Sequence, residues 1–186
     1  MAHIEQIRIC GFGGQGVVLT GTILGYAAVL DGKWAAGSNS YGAQARGGAA
    51  RAEVVISSEP IIFPHVIEAD ILVALSQEAY DAYTQALKDE GSRVLYDTMT
   101  VKPRDLKVSE QLGVPATSLA VQDLGVKEVA NMVILAALVG LTELVSEGAL
   151  RRSLEEHVGE RYRDVNMKAL DMGLRLGVDL KRDIDS

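Results

Sequence analysis

The chain has 186 residues, of which 48% are hydrophobic and 5% aromatic, and a formal net charge of -7. That length supports an aliphatic core without disulfide or metal staples. The acidic balance, with no dense Lys/Arg cluster, excludes nucleic-acid binding as the main task, because phosphate neutralisation supplies most of that affinity.

The single cysteine, Cys10, excludes an internal disulfide, and alone it cannot hold an iron–sulfur cluster, which normally takes four thiolates. It lies in an apolar strand pattern and reads as a small buried hydrophobe. Met1-Ala2-His3-Ile4-Glu5 lacks the basic and apolar regions of a signal peptide. The longest apolar stretch, Val129 to Thr142, falls short of the about 20 residues that span a bilayer. A cytoplasmic location is therefore expected.

In chain order, Gln6–Cys10 reads as a short strand ending at the turn Gly11-Phe12-Gly13-Gly14-Gln15-Gly16, and Val17–Leu30 as a helix stopped by Asp31-Gly32. Gly21 and Gly25 lie on one face of that helix and permit a close backbone approach. Trp34–Ser40 is a weak strand candidate, Ala52–Ile56 another strand, and Ala69–Leu75 the clearest buried strand, a continuous apolar run. Ser76 caps a helix carrying Ala79, Tyr80, Tyr83 and Leu87 and ended by Gly91. Arg93–Tyr96 makes a further strand, and Ala116–Ala120, after Pro115, is read as the last one. Val129 to Val145 is apolar nearly all round and is expected to lie deep in the fold or under a partner. In the tail from Leu150, Tyr162, Val165, Ala169, Met172 and Leu176 form a narrow apolar stripe. Strands alternating with helices imply an α/β fold: one domain over 1–186, with a mostly parallel, Rossmann-like sheet, helices on both faces, a core to about 150 and a helical tail.

Gly11, Gly13 and Gly16 satisfy G-x-G-x-x-G between a strand and a helix, where backbone N–H groups can approach a phosphate. A dinucleotide site also wants an acidic residue at the end of the second strand. Trp34–Ser40 has none, and Asp31 comes too early, which counts against independent NAD binding. Two readings stay open: a tight turn with no ligand, or a ligand-facing loop in which the amide of Gln15 offers donors and an acceptor. The loop Ser40-Tyr41-Gly42-Ala43-Gln44-Ala45-Arg46-Gly47-Gly48 also follows a strand candidate. Arg46 beside Gly47 and Gly48 suits a carboxylate or phosphate, or else a local acid. If the two strands point the same way, both loops emerge on one edge.

Gly-Phe-Gly-Gly-Gln-Gly at 11–16 and Ser-Tyr-Gly-Ala-Gln-Ala-Arg-Gly-Gly at 40–48 are followed by Val54–Ser57, Pro60-Ile61, Ala69–Leu75 and, more loosely, Asn131-Met132-Val133. Together they resemble the gamma subunit of the 2-oxoacid:ferredoxin oxidoreductases. The Ser-Tyr-Gly opening and Ala-Arg-Gly-Gly-Ala place the resemblance closest to the 2-oxoglutarate branch. Gln44 departs from the Glu that many relatives carry. The resemblance implies a complex that oxidatively decarboxylates a 2-oxoacid to an acyl-CoA and reduces ferredoxin. In such a complex thiamine diphosphate and iron–sulfur clusters belong to alpha, beta and possibly delta partner subunits. It implies a site next to coenzyme A made of Gly11, Gly13, Gly14, Gln15, Gly16, Ser40, Tyr41, Arg46, Gly47 and Gly48, with no catalytic residue and no cofactor bound by this chain alone. A free-standing nucleotide-binding protein and a purely structural assembly subunit are the alternatives.

Overall fold

The computed structural model describes residues 4–41, 49–88 and 91–186. Its strands are β1 (Ile4–Phe12), β2 (Trp34–Tyr41), β3 (Ala49–Ser57), β4 (Ile71–Ala74), β5 (Arg93–Asp97) and β6 (Glu110–Val114). They form a single sheet in the order β2-β3-β1-β4-β5-β6. β1, β4, β5 and β6 run parallel, while β3 lies antiparallel to both β1 and β2. The sheet is thus mostly parallel, as expected, with one reversed strand inserted beside β1. That insertion separates β2 from β1, unlike the dinucleotide-binding order in which the second strand neighbours the first.

Alternation sorts the side chains to two faces. Ile7, Ile9, Ile71, Val73 and Leu95 face α1 (Val17–Leu30), α3 (Ala116–Gln122), α4 (Ala130–Thr142), α5 (Glu147–His157) and α6 (Glu160–Ile184). Cys10, Leu72, Ala74 and Val94 face α2 (Gln77–Tyr83) and the segments around Val66 and Val101. β4 is buried along its whole length, which explains its unbroken apolar run.

α1 has the predicted bounds, and Gly32, at φ 74, closes it in the left-handed conformation. A Cβ at Gly21 would stand 2.6 Å from the Cβ of Ala52, so the close approach of α1 to β3 is real. Ser76 caps α2 by accepting from the Ala79 N–H at 3.3 Å. The helix stops well before Gly91, because after a 3-10 turn Leu87 swings back to bridge Ala69.

One expected element is wrong. Ala116–Ala120 is part of α3, and the last strand is β6, before Pro115. Proline favours extended backbone in the residue before it and fits a helix start after it. β6 escaped notice because it is a half-exposed edge with no apolar run. The tail stripe packs on its own chain, with Ala169 buried and Val165 and Leu176 partly buried against the core, but the buried face is wider than predicted. α6 buries Asn166, Ala169, Leu170, Gly173, Leu174 and Gly177 against its own chain, whereas Tyr162 is exposed. No described helix is long and apolar enough to cross a membrane.

Candidate functional site

β1 and β2 are both antiparallel to β3, so they point the same way. In the register, Phe12 stands opposite Ala49 and Tyr41 opposite Ala50. The glycine turn after β1 and the connection after β2 therefore leave from one edge, and β4, β5 and β6 release their carboxyl ends there too. This is the edge at which α/β sheets bind ligands. Ser40 lies exposed near the end of β2, and Tyr41 is its last residue. Arg46, Gly47 and Gly48 lie outside the described residues.

The glycines divide by task. Gly11 belongs to β1 and is buried; a Cβ there would meet Gln15 Oε1 at 2.5 Å, so its bareness makes room for that side chain. Gln15 is not turned outward as expected. Its Oε1 accepts from the Phe12 N–H at 2.6 Å, and its Nε2 donates to the Leu75 carbonyl at 2.9 Å. The amide closes the turn on itself and ties it to the end of β4, giving the Phe12 N–H an acceptor and the Leu75 carbonyl a donor.

Gly14 and Gly16 take left-handed conformations, at φ 96 and φ 71. Gly16 is fixed further by Asn131, which is buried at the head of α4. A Cβ on Gly16 would lie 2.1 Å from Asn131 Nδ2. Asn131 Nδ2 donates to the Gly16 carbonyl at 3.4 Å, and Asn131 Oδ1 accepts from the Met132 N–H at 2.8 Å. Thr20 Oγ1 donates to the same Gly16 carbonyl at 2.9 Å. The N–H groups of Gly13, Gly14 and Gly16 donate to no acceptor among the described residues.

Beside the turn is a cavity of about 250 Å³ whose lining includes Gly13, Gly14, Thr117, Lys127, Glu128 and Asn131. Its floor is braced by Asp97, fully buried at the end of β5. Asp97 accepts from the Thr117 N–H at 3.1 Å and Oγ1 at 2.5 Å, and from Thr100 Oγ1 at 3.3 Å. Thr100 Oγ1 also donates to Leu75 at 3.0 Å, so the ends of β4 and β5 and the start of α3 form one braced rim. Thr117, Lys127 and Glu128 were missed in the sequence. Asn131 had a signal, being the polar residue at the head of an apolar helix; Lys127 had none.

Cys10 is fully buried and its Sγ donates to the Val73 carbonyl at 3.4 Å. Burial pushes the thiol up to about 12, against the opposing pull of the Arg8 guanidinium. A protonated, enclosed thiol does not fit cluster ligation, and no group of three or more His, Cys, Asp or Glu among the described residues could hold a metal ion. His65 is exposed beside Phe63, and His157 ends α5 with Nδ1 2.8 Å from the Ser153 carbonyl.

Fold and site define a class: an α/β chain whose glycine turn, braced by neighbouring elements, opens on a small cavity at the carboxyl edge of its sheet. The family described as POR, pyruvate ferredoxin/flavodoxin oxidoreductase, matches residues 6–176, and the chain belongs to it. It is 43% identical, over 95% of each chain, to 2-oxoglutarate synthase subunit KorC of Methanocaldococcus jannaschii. It superposes on the gamma subunit of the keto/oxoacid ferredoxin oxidoreductase of Geobacter sulfurreducens with a TM-score of 0.82 and 38% identity, covering 94% of this chain and 99% of that one. It also superposes on 2-oxoglutarate:ferredoxin oxidoreductase of Magnetococcus marinus, solved with 2-oxoglutarate, coenzyme A and succinyl-CoA bound. There the TM-score is 0.85 and the identity 26%, with 95% of this chain matching 31% of that longer chain.

Proposed function

We propose that this chain is the gamma subunit of a 2-oxoglutarate:ferredoxin oxidoreductase and presents its glycine-turn edge to coenzyme A within the assembled enzyme. The identity to a 2-oxoglutarate synthase subunit over 95% of the chain carries the reading. The net reaction converts a 2-oxoacid and the thiol of coenzyme A to an acyl-CoA, carbon dioxide and a proton, and passes two electrons to ferredoxin. Thiamine diphosphate, when bound, stabilises the acyl carbanion, and iron–sulfur clusters carry the electrons. Both are assigned to alpha, beta and possibly delta partner subunits, since Cys10 cannot serve a cluster.

This chain's part is to bind and orient. The N–H groups of Gly13, Gly14 and Gly16 are suited to a phosphate at the start of α1. Arg46, Gly47 and Gly48, which follow β2 in the sequence, are residue types suited to a carboxylate or phosphate. Coenzyme A fits such an edge because its phosphates match open donors. The inward engagement of Gln15 favours a second reading, in which the turn is only a scaffold for a partner chain.

Co-expression with its partner subunits tests the proposal. The purified complex should be brown and reduce ferredoxin with 2-oxoglutarate only when coenzyme A is present, while the chain purified alone should be colourless. Preference for pyruvate or a branched 2-oxoacid would refute the substrate. Turnover indifferent to the turn, with glycine-turn variants changing assembly alone, would favour the scaffold.

A further inference from the structure

β2 ends the sheet. It pairs with β3 along its whole length and with no strand on its other flank among the described residues. Alternate backbone N–H and C=O groups therefore point away from the sheet, a row that another strand would satisfy. Edges that must stay single carry Lys, Pro or a bulge. Trp34–Tyr41 has no charge, no proline and an unbroken register, and Lys33 just before it donates to the Leu144 carbonyl at 2.5 Å.

The helix beside this edge is open on the same flank. α1 lies over β2 and β3 and contains no charged residue. A helix apolar all round is normally buried all round. Here Thr22 and Val29 are exposed, Val29 by 52%, with Gly25 and Tyr26 half-buried between them in one stripe. The stripe and β2 line a groove of about 350 Å³. Both elements are centred at one level. A Cβ on Gly25 would lie 3.7 Å from Val54 Cγ1, and Val54 is the register partner of Gly37, in the middle of β2.

We infer that two copies of the chain join on this flank, β2 against β2 antiparallel, about a two-fold axis at Gly37. Facing residues share a side of the sheet, so Trp34 stands opposite the copy's Ser40 and Ala35 opposite its Asn39. No like charges meet. Strands about 4.8 Å apart set the two α1 helices roughly 10 Å apart, the distance at which helices pack. The same axis brings the stripes together antiparallel, with Gly25 at the centre and each Thr22 beside the other copy's Val29. A lone foreign strand would satisfy the edge and leave Val29 in water. A second copy covers both, because it brings its own helix. The inference does not rest on the coenzyme A reading.

Sedimentation velocity of the full chain over a concentration series tests it. The wild type should form a reversible pair of 19.9 kDa chains. Thr22→Glu with Val29→Glu sets two like-charged pairs across the axis and should weaken that dimer about ten-fold or more. Thr22→Lys with Val29→Glu sets opposite charges at the same places. It should dimerise about ten-fold more tightly than the like-charged variant, a gap that closes at high salt. Both positions are exposed, so the fold tolerates either pair of changes. Trp34→Cys with Ser40→Cys should give a covalent dimer on oxidation, since facing Cα atoms about 5 Å apart suit a disulfide. A chain that is monomeric at every concentration, or charge variants that weaken alike, would overturn the two-fold. So would cross-linking, in the assembled complex, to a partner subunit in place of a second copy.

Discussion

Arg8 and Glu53 stand opposite each other on β1 and β3 and are 4% and 6% exposed, so their charges have little water to share. Arg8 Nε donates to Glu53 Oε1 at 2.9 Å, and its terminal nitrogens donate to the carbonyls of Val66 at 3.0 Å and Ala86 at 3.3 Å. Glu53 Oε2 accepts from Ser38 Oγ at 3.0 Å, and the Tyr83 ring lies 5.5 Å from the Arg8 guanidinium carbon. Such a pair offsets its own desolvation only while both halves remain. Glu53→Ala should therefore cost roughly 3–5 kcal/mol in chemical denaturation, while replacing both residues by apolar ones of similar volume should recover most of that loss. An equal loss in the single and double variants would mean that packing, not uncompensated charge, sets the cost. Cys10 makes a pH prediction on the same face. Its folded thiol is raised from the ordinary value of 9.0 to about 12, so the fold favours the protonated form. That contribution is whole below pH 9 and is lost as pH climbs from 9 towards 12. Cys10→Ala should lower stability at neutral pH by about 1 kcal/mol through the small cavity it leaves, and its melting temperature should fall less steeply than the wild type's in the alkaline range. Parallel slopes would show that the thiol is not coupled to folding.

Between elements, α4 and α6 meet along a seam of glycines. Gly140, Gly173 and Gly177 meet the facing backbone directly: a Cβ at Gly173 would lie 2.2 Å from the Val133 carbonyl oxygen, and one at Gly177 would lie 2.2 Å from that of Ala137. Backbone cannot yield as a flexible side chain can, so the helices would have to separate and the surrounding aliphatic packing would open. Gly177→Ala should destabilise the chain by about 2 kcal/mol or more, although alanine is the better helix former by roughly 1 kcal/mol. Gly148→Ala in α5, where nothing lies within 4 Å of the added carbon, should instead be neutral or stabilising by up to about 1 kcal/mol. Paired thermal melts with the same sign for both would refute the seam. Polar ties fasten the other helices. Asp31, after α1, accepts from the Ser146 Oγ at 2.6 Å, and Ser146 caps α5 by accepting from the Ala149 N–H at 3.1 Å. Arg151 joins α5 to α6 by donating to Glu147 at 2.7 Å and to Asp171 at 2.5 Å, which raises its already high pKa.

At the scale of the whole molecule, the common direction of five strands is what makes a site of two separate loops, and the sheet order is what removes the dinucleotide reading. Both turn on β3, whose reversed insertion beside β1 no local pattern announces. Elements with strong local signals are legible in the residues alone: α1 between its glycine turn and Gly32, the buried strand β4, the apolar α4, the Ser76 cap, and the glycine turn as the candidate site. Those follow from propensity, capping and burial, which act over a few residues. Packing between distant segments set the rest: Gln15 serves the fold, Asn131 seats Gly16, Lys127 and Glu128 stand at the cavity, and α6 buries glycines beside the predicted stripe. The physical reason is common to all four. Each depends on a partner far along the chain, and a glycine or an amide carries no sign in its own neighbourhood of what will be packed against it.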